Sequence, residues 1–130
     1  RYVMHEPPLA LVAYADRGLR GLIRLELEEA GFVVSEADTE EQAIQRLLAE
    51  SPDILLLDRY LEGLPQKELI DRITAGSSVS RMAITCDPID EAEVRSQFPD
   101  VPVLLKPWDF GEAASMCLAL LDAKPDATVA

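Results

Sequence analysis

Short apolar runs alternate along the chain with longer segments in which apolar residues recur every three or four positions. The runs have the length and composition of β-strands and lie at residues 9–14, 32–37, 53–58, 81–86 and 101–105. The first run (LALVAY) is continuously apolar, and the third (DILLLD) places four apolar residues between two acids. Such runs are typical of strands that are covered on both faces of a parallel sheet. Pro102, within the fifth run, favours an edge position for that strand.

The segment after the first run predicts an amphipathic helix. Its apolar residues share one face and are expected to point inward: Leu19, Leu22, Ile23, Leu27 and Ala30. Its polar residues are expected to face water: Arg20, Arg24, Glu26 and Glu29. Gly31 follows at the position where a left-handed C-terminal cap is common. The pattern therefore predicts a helix that ends directly before the second strand.

Capping signals predict where the later helices begin. Thr39 and Gln42 form a T-x-x-Q capping box that opens the second helix. Its expected inward residues are Ala43, Ile44, Leu47 and Leu48. Proline at the first helical position predicts a third helix over residues 65–76 and a weakly patterned fourth over 88–98. A D-x-x-E pattern at 109–112 opens the last helix, whose expected inward residues are Ala113, Met116, Cys117, Leu120 and Leu121.

Five strand–helix units in this order predict an α/β fold with a parallel sheet, right-handed crossovers and helices on both faces. One domain is expected at residues 9–123, between an N-terminal tail at 1–8 and a C-terminal tail at 124–130. Ligands in such sheets bind beyond the carboxyl ends of the strands. The side chains that follow those ends are therefore the ones expected to carry chemistry.

Composition narrows the function classes. The chain has 130 residues, 48% of them hydrophobic and 28% charged, which suits one globular domain. A formal net charge of −12 disfavours direct binding to nucleic acid or to an anionic membrane. No run approaches the roughly 18 to 20 apolar residues that span a bilayer. Cys86 and Cys117 lie in apolar runs, without the spacing of metal ligands, as expected of reduced, partly buried thiols in a cytosolic protein.

Taken together, four motifs resemble the receiver domains of two-component response regulators over residues 9–121. They are E-A-G-F at 29–32, P-D-I-L-L-L-D at 52–58, Thr85 at the end of the fourth strand, and K-P-W at 106–108. The resemblance implies a (βα)5 doubly wound sheet with the flavodoxin-like strand order 2-1-3-4-5. It also implies a cytoplasmic signalling protein that is not an enzyme.

The resemblance implies a role for three residues. Asp58 would accept a phosphoryl group from a histidine kinase or a phosphotransfer protein. Lys106 would contact a phosphate oxygen, and the Thr85 hydroxyl would move toward the phosphoryl group with the loop that follows it. The output would pass through the face of the fourth helix, fifth strand and fifth helix to a downstream protein or to an output domain removed from the parent chain. An apolar face there would also allow a homodimer.

The departures from the family pattern concern the metal. Two adjacent acids normally follow the first strand and hold Mg²⁺, but those positions are Tyr14 and Ala15 here. The remaining ligands would be Asp58, the backbone carbonyl of Tyr60 and, as a substitute, Asp16. Asp16 suits the N-cap of the first helix better than it suits a metal site. Since Mg²⁺ requires a near-octahedral set of oxygen ligands, we expect its affinity to be poor.

Three functions can be weighed against these features. The first is a phosphoaccepting receiver, favoured by Asp58, Thr85 and Lys106. The second is a degenerate receiver that acts as a phosphorylation-independent interaction module, favoured by Tyr14 and Ala15. The third is a flavodoxin-like or nucleotide-binding enzyme, which would need a glycine-rich or hydroxyl-rich loop after the first strand; D-R-G at 16–18 is too sparse for that.

Overall fold

Five parallel strands form one sheet in the computed structural model, which describes residues 6–62, 68, 70–72 and 81–122. The strands are β1 (Leu9–Ala13), β2 (Val33–Ala37), β3 (Ile54–Asp58), β4 (Met82–Cys86) and β5 (Val103–Leu105). Their order is β2-β1-β3-β4-β5, and every neighbouring pair is parallel. The predicted α/β class and strand order are confirmed, as is the edge position of the last strand.

The helices lie between the strands as the periodicity predicts. They are α1 (Arg17–Glu29), α2 (Glu40–Glu50), α3 (Glu91–Gln97), which follows a 3-10 turn at Pro88–Asp90, and α4 (Glu112–Asp122). Within the predicted helix at 65–76, residues 68 and 70–72 are helical. The rest of that helix, residues 1–5 of the predicted N-terminal tail and the whole C-terminal tail lie outside the described residues. Across the described residues, no helix has both the length and the apolar character needed to cross a membrane.

Caps that the sequence predicts lie at the C-terminal end of α1 and at the start of α2. After α1, Gly31 adopts a φ of +103°, its N–H donates to the Glu28 carbonyl, and the next N–H donates to the Leu27 carbonyl. This is a Schellman motif, which satisfies two carbonyls that the helix leaves unpaired. At the start of α2 the Gln42 N–H donates to Thr39 Oγ1 over 3.2 Å. The Gln42 side chain accepts from the Asp38 N–H over 2.9 Å, one residue before the donor that the capping box predicts.

The core consists of two apolar layers, one on each face of the sheet. Alternate residues of β1 and β3 enter opposite layers because successive side chains of a strand point to opposite faces. One layer packs against α2 and α3, and the other packs against α1 and α4. Cys86 and Cys117 are free and buried, one in each layer. Burial raises the pKa of the Cys117 thiol to about 12.

Four helical positions differ from the prediction. Leu19, Leu22 and Leu48, which were expected to point inward, are 40%, 61% and 67% exposed. Glu26, which was expected to face water, is 4% exposed. The buried face of α1 runs through Ile23, Glu26 and Leu27, and it meets the start of α4. Glu26 is stabilised there because its carboxylate accepts from the Ala114 N–H over 2.8 Å, a donor that α4 leaves unpaired.

Candidate functional site

The register of the sheet brings four side chains to one edge. Asp58 is the last residue of β3 and pairs with Thr85 on β4. Thr85 pairs with Leu104 on β5, two residues before Lys106. Tyr14 directly follows β1, which is the other neighbour of β3. Because the strands are parallel, their carboxyl ends share an edge, and the predicted convergence of Asp58, Thr85 and Lys106 is observed.

The Asp58 carboxylate holds two donors on the same oxygen. Its Oδ1 lies 2.8 Å from Lys106 Nζ and accepts the Thr85 hydroxyl over 3.0 Å. The Asp58 side chain is 5% exposed and that of Lys106 is 18% exposed. An ammonium and a hydroxyl at these distances form charge-assisted hydrogen bonds to an ionised carboxylate. The arrangement is a nearly buried ion pair with one additional donor.

Tyr14 extends this network into the core. Its fully buried phenol is hydrogen-bonded to the Thr85 hydroxyl. A threonine hydroxyl carries one proton, and Thr85 gives that proton to Asp58, so Tyr14 is the donor to Thr85 Oγ1. Burial, together with the charge of Asp58, raises the pKa of the Tyr14 phenol far above its usual value, so the donor stays protonated.

Lys106 also lies between two aromatic rings. Its Nζ is 5.3 Å from the centroid of the Tyr14 ring and 4.9 Å from that of Tyr60, within the range of a cation–π interaction. The Tyr60 hydroxyl accepts from the Asp87 N–H over 3.1 Å and donates to the Asp90 carboxylate. Burial and the hydrogen bond to Asp90 raise the pKa of Tyr60 to about 12. Tyr60 therefore ties the site to the turn that follows β4.

The residues around Asp58 do not fit Mg²⁺. Within the described ranges, no three acidic, histidine or cysteine side chains lie close enough together to hold a metal ion. Asp16 Oδ1 caps α1 by accepting from the Leu19 N–H over 2.9 Å. The Lys106 ammonium and the Tyr14 ring lie beside Asp58 where a hard cation would need oxygen ligands. The groups around Asp58 suit the ammonium of Lys106 rather than a divalent metal ion.

Sequence reasoning missed the supports of Tyr14. The Tyr14 N–H donates to the Ala37 carbonyl over 3.0 Å, and Arg20 Nη1 donates to the Tyr14 carbonyl over 2.7 Å. Arg20 is held in turn by Glu36, with Nε 2.7 Å from Oε1. The replacement of an acid by a tyrosine was visible in the sequence, but the hydrogen bond from its hydroxyl to Thr85 was not.

An apolar cavity of about 400 Å³ lies beside the site. Its lining includes Tyr14, Lys106, Leu22, Trp108 and Phe110. Trp108 is half-buried, packs against the layer that α1 and α4 cover, and donates from Nε1 to Glu26 over 3.4 Å. The structure thus places Trp108 against the core at the start of α4.

Comparison with solved structures identifies the fold. A candidate response regulator from Chloroflexus aurantiacus superposes with a TM-score of 0.81 at 22% identity, over 90% of this chain and 99% of that one. A response regulator from Thermotoga maritima gives 0.76 at 21% identity, over 90% and 99%. The receiver domain of the Francisella response regulator 1452 gives 0.74 at 20% identity, over 88% and 96%.

The chain has the receiver-domain fold. No protein-family model matches it, and no curated protein does either. Within a receiver fold, Asp58, Thr85 and Lys106 lie at the ends of β3, β4 and β5. Tyr14 lies directly after β1, at the same edge of the sheet.

Proposed function

We propose that this chain is a receiver-fold interaction module that recognises a partner protein without phosphorylation of Asp58. The single observation that carries the proposal is the environment of Asp58 Oδ1, which already holds the Lys106 ammonium and the Thr85 hydroxyl. In this interpretation the site is a structural element that supports a binding surface. The net charge of −12 favours a protein partner over nucleic acid.

Two features of the site argue against phosphoryl transfer to Asp58. A nucleophilic carboxylate must be reachable, but the Asp58 side chain is 5% exposed. Transfer between two anions also needs positive charge that is free to act on the phosphoryl oxygens. Here the ammonium of Lys106 already neutralises Asp58, and Asp16 is engaged as the cap of α1. Burial limits the access of a phosphodonor to Asp58, and the ion pair with Lys106 stabilises the unmodified state.

A second candidate function is a phosphoaccepting receiver that signals through Thr85 and Lys106. The observation that favours it is the convergence of a hydroxyl and an ammonium within 3.0 Å of the Asp58 carboxylate at the edge of the sheet. In that case a histidine kinase or a phosphotransfer protein would supply the phosphoryl group. The ammonium would contact the new phosphate oxygens, and the hydroxyl would stabilise their charge. The chain would be the acceptor in this reaction rather than the enzyme.

Incubation with acetyl phosphate, with and without Mg²⁺, separates the two functions. We expect the intact mass of the wild-type chain to stay unchanged under both conditions. A phosphoaccepting receiver domain treated in parallel controls for the reagent, and Asp58→Asn controls for modification elsewhere. A gain of one phosphoryl group that requires Mg²⁺ and disappears in Asp58→Asn would overturn the proposal and support the second candidate.

A further inference from the structure

The Thr85 hydroxyl is the most constrained polar group in the site. It is fully buried, donates its one proton to Asp58 and accepts the proton of Tyr14. A threonine hydroxyl can otherwise turn among its rotamers or give its proton to a backbone carbonyl. With a donor on one side and an acceptor on the other, only one orientation satisfies all three groups.

A phenol at position 14 has a different effect from a carboxylate there. An ionised acid only accepts, so it would compete with Asp58 for the single proton of Thr85 and would repel the charge of Asp58. The Tyr14 phenol donates, so the two hydrogen bonds point the same way and strengthen each other. Its ring also contacts Lys106 Nζ from 5.3 Å. The substitution therefore changes position 14 from a competitor of Asp58 into a support for it.

Thr85 and Tyr60 link this network to the loop after β4. The Thr85 carbonyl accepts from the Arg59 N–H over 2.8 Å, which joins the end of β4 to the loop after β3. Tyr60, in that loop, contacts Asp87 and Asp90 through its hydroxyl. The Thr85 hydroxyl and Lys106 Nζ share Asp58 Oδ1, and Lys106 contacts the Tyr60 ring from 4.9 Å, so a change at the Thr85 hydroxyl reaches this loop through Lys106 and Tyr60.

We propose that Tyr14 is a positioning residue that holds the Thr85 hydroxyl on Asp58 and thereby keeps the loop at residues 87–90 in one conformation without metal or phosphoryl group. The inference rests on the proposed function, since a module that works without phosphorylation needs its binding surface already formed. Tyr14 is suited to this role because its own backbone is held by Ala37 and Arg20. It acts through Thr85 and not on a ligand.

The test is Tyr14→Phe, which keeps the ring and removes only the hydroxyl. Side-chain hydroxyl protons that are buried and bonded exchange slowly with water, so their NMR signals are observable. In the wild-type chain we expect slowly exchanging signals for both the Tyr14 and Thr85 hydroxyls, with a cross-relaxation peak between them. In Tyr14→Phe we expect the Thr85 signal to broaden and the amides of 87–90 to show millisecond exchange. The released Thr85 conformers should rise on the order of fivefold, the population change that loss of one hydrogen bond of about 1 kcal/mol produces.

Two further variants separate positioning from general packing. Thr85→Ser retains the hydroxyl and should keep the amide signals of 87–90 sharp and the Tyr14 hydroxyl proton slow to exchange. Thr85→Val removes the hydroxyl and should give the same exchange at 87–90 as Tyr14→Phe. Sharp, unshifted amides at 87–90 in both Tyr14→Phe and Thr85→Val, with the fold intact by circular dichroism, would overturn the inference.

The NMR test of the positioning role does not depend on the result of the phosphorylation experiment. All three NMR variants are measured without acetyl phosphate, so they report on the hydrogen bonds alone. If Tyr14→Phe leaves the loop unchanged while the wild-type chain resists acetyl phosphate, the positioning role fails and the proposed function survives. If the wild-type chain is phosphorylated while Tyr14→Phe loosens the loop, the proposed function fails and the positioning role survives.

Discussion

Neutralising Asp58 should destabilise this chain. In a pocket crowded with acids, loss of one carboxylate relieves repulsion; here the charged neighbour is the Lys106 ammonium at 2.8 Å. Asp58→Asn weakens that contact and retains an acceptor for Thr85. A hydrogen bond to a charged group contributes about 1.5–3 kcal/mol, so we expect a loss of about 2 kcal/mol in the free energy of unfolding. Asp58→Ala removes both contacts and should cost about 3–4 kcal/mol, because it leaves the ammonium and the Thr85 donor unpaired.

A double-mutant cycle isolates the ion pair. Lys106→Met keeps most of the stem and removes the charge, and replacing both members of a buried pair by neutral groups is often close to neutral. The Asp58→Asn/Lys106→Met chain should therefore be more stable than the sum of the two single effects predicts, by about 1–2 kcal/mol. Asp16→Asn is the matched control, since asparagine caps a helix as well as aspartate does.

The assay is urea unfolding at pH 7, followed by circular dichroism. With a slope of about 2 kcal/mol/M, Asp58→Asn should lower the midpoint by roughly 1 M, and Asp16→Asn should leave it nearly unchanged. An unchanged or higher midpoint in Asp58→Asn would refute the reasoning, because it would mean that the carboxylate is not stabilised by its neighbours.

Three other predictions concern the fold and its titration. Glu26→Ala should cost about 1–3 kcal/mol in urea unfolding, because it leaves a buried N–H of α4 unpaired, whereas Glu29→Ala at an exposed position of the same helix should cost less than about 0.5 kcal/mol. Gly31→Ala should destabilise by about 1 kcal/mol because of its φ of +103°, whereas Gly21→Ala, within α1 with open space around it, should stabilise by a similar amount in thermal unfolding. Tyr60 ionises more easily when unfolded, because folding raises its pKa from 10.0 to about 12. The protonated phenol therefore contributes its full share to the free energy of unfolding below pH 10, and this share is lost as the pH rises through about 12. Urea unfolding across this pH range should show a smaller loss of stability in Tyr60→Phe than in the wild-type chain.

The sheet and the convergence of Asp58, Thr85 and Lys106 could be predicted from the sequence for a physical reason. Apolar runs bounded by turn residues mark buried parallel strands, and parallel strands end at the same edge. Residues that end strands lying next to one another in the sheet therefore lie close together, whatever their side chains are. Asp58 and Lys106 meet in this way although 48 positions separate their numbers.

Glu26 shows why helix faces were predicted less well. The hydrophobic pattern assigns a carboxylate to water, since burying a lone charge is costly. Glu26 is buried because the first N–H groups of α4, 88 residues later, need an acceptor where the two helices meet. Only the packing of α1 against α4 reveals that need. Leu22 and Leu48 show the opposite error: the periodicity predicts that they are buried, but each lies at the border of its helix's buried face and is exposed.

Tyr14 shows the same limit at the site itself. The sequence places a tyrosine directly after β1, where the resemblance to receiver domains implies an acid, and poor metal binding is an expectation drawn from that resemblance. It does not indicate that the phenol reaches Thr85, 71 residues away, because that contact depends on the twist of the sheet and on the Tyr14 backbone, which Arg20 and Ala37 hold in place. The direction of the hydrogen bonds emerges only when Thr85 and Asp58 are seen together.

The central claim is that the side chains around Asp58 already occupy its carboxylate. An NMR titration of the wild-type chain with Mg²⁺ and beryllofluoride tests this claim most directly. If Lys106, Thr85 and Tyr14 already satisfy Asp58, the amide signals of residues 58–60, 85–87 and 106 should stay in place through millimolar concentrations of both reagents. A saturable shift of those signals that requires Mg²⁺ and is absent in Asp58→Asn would contradict the account.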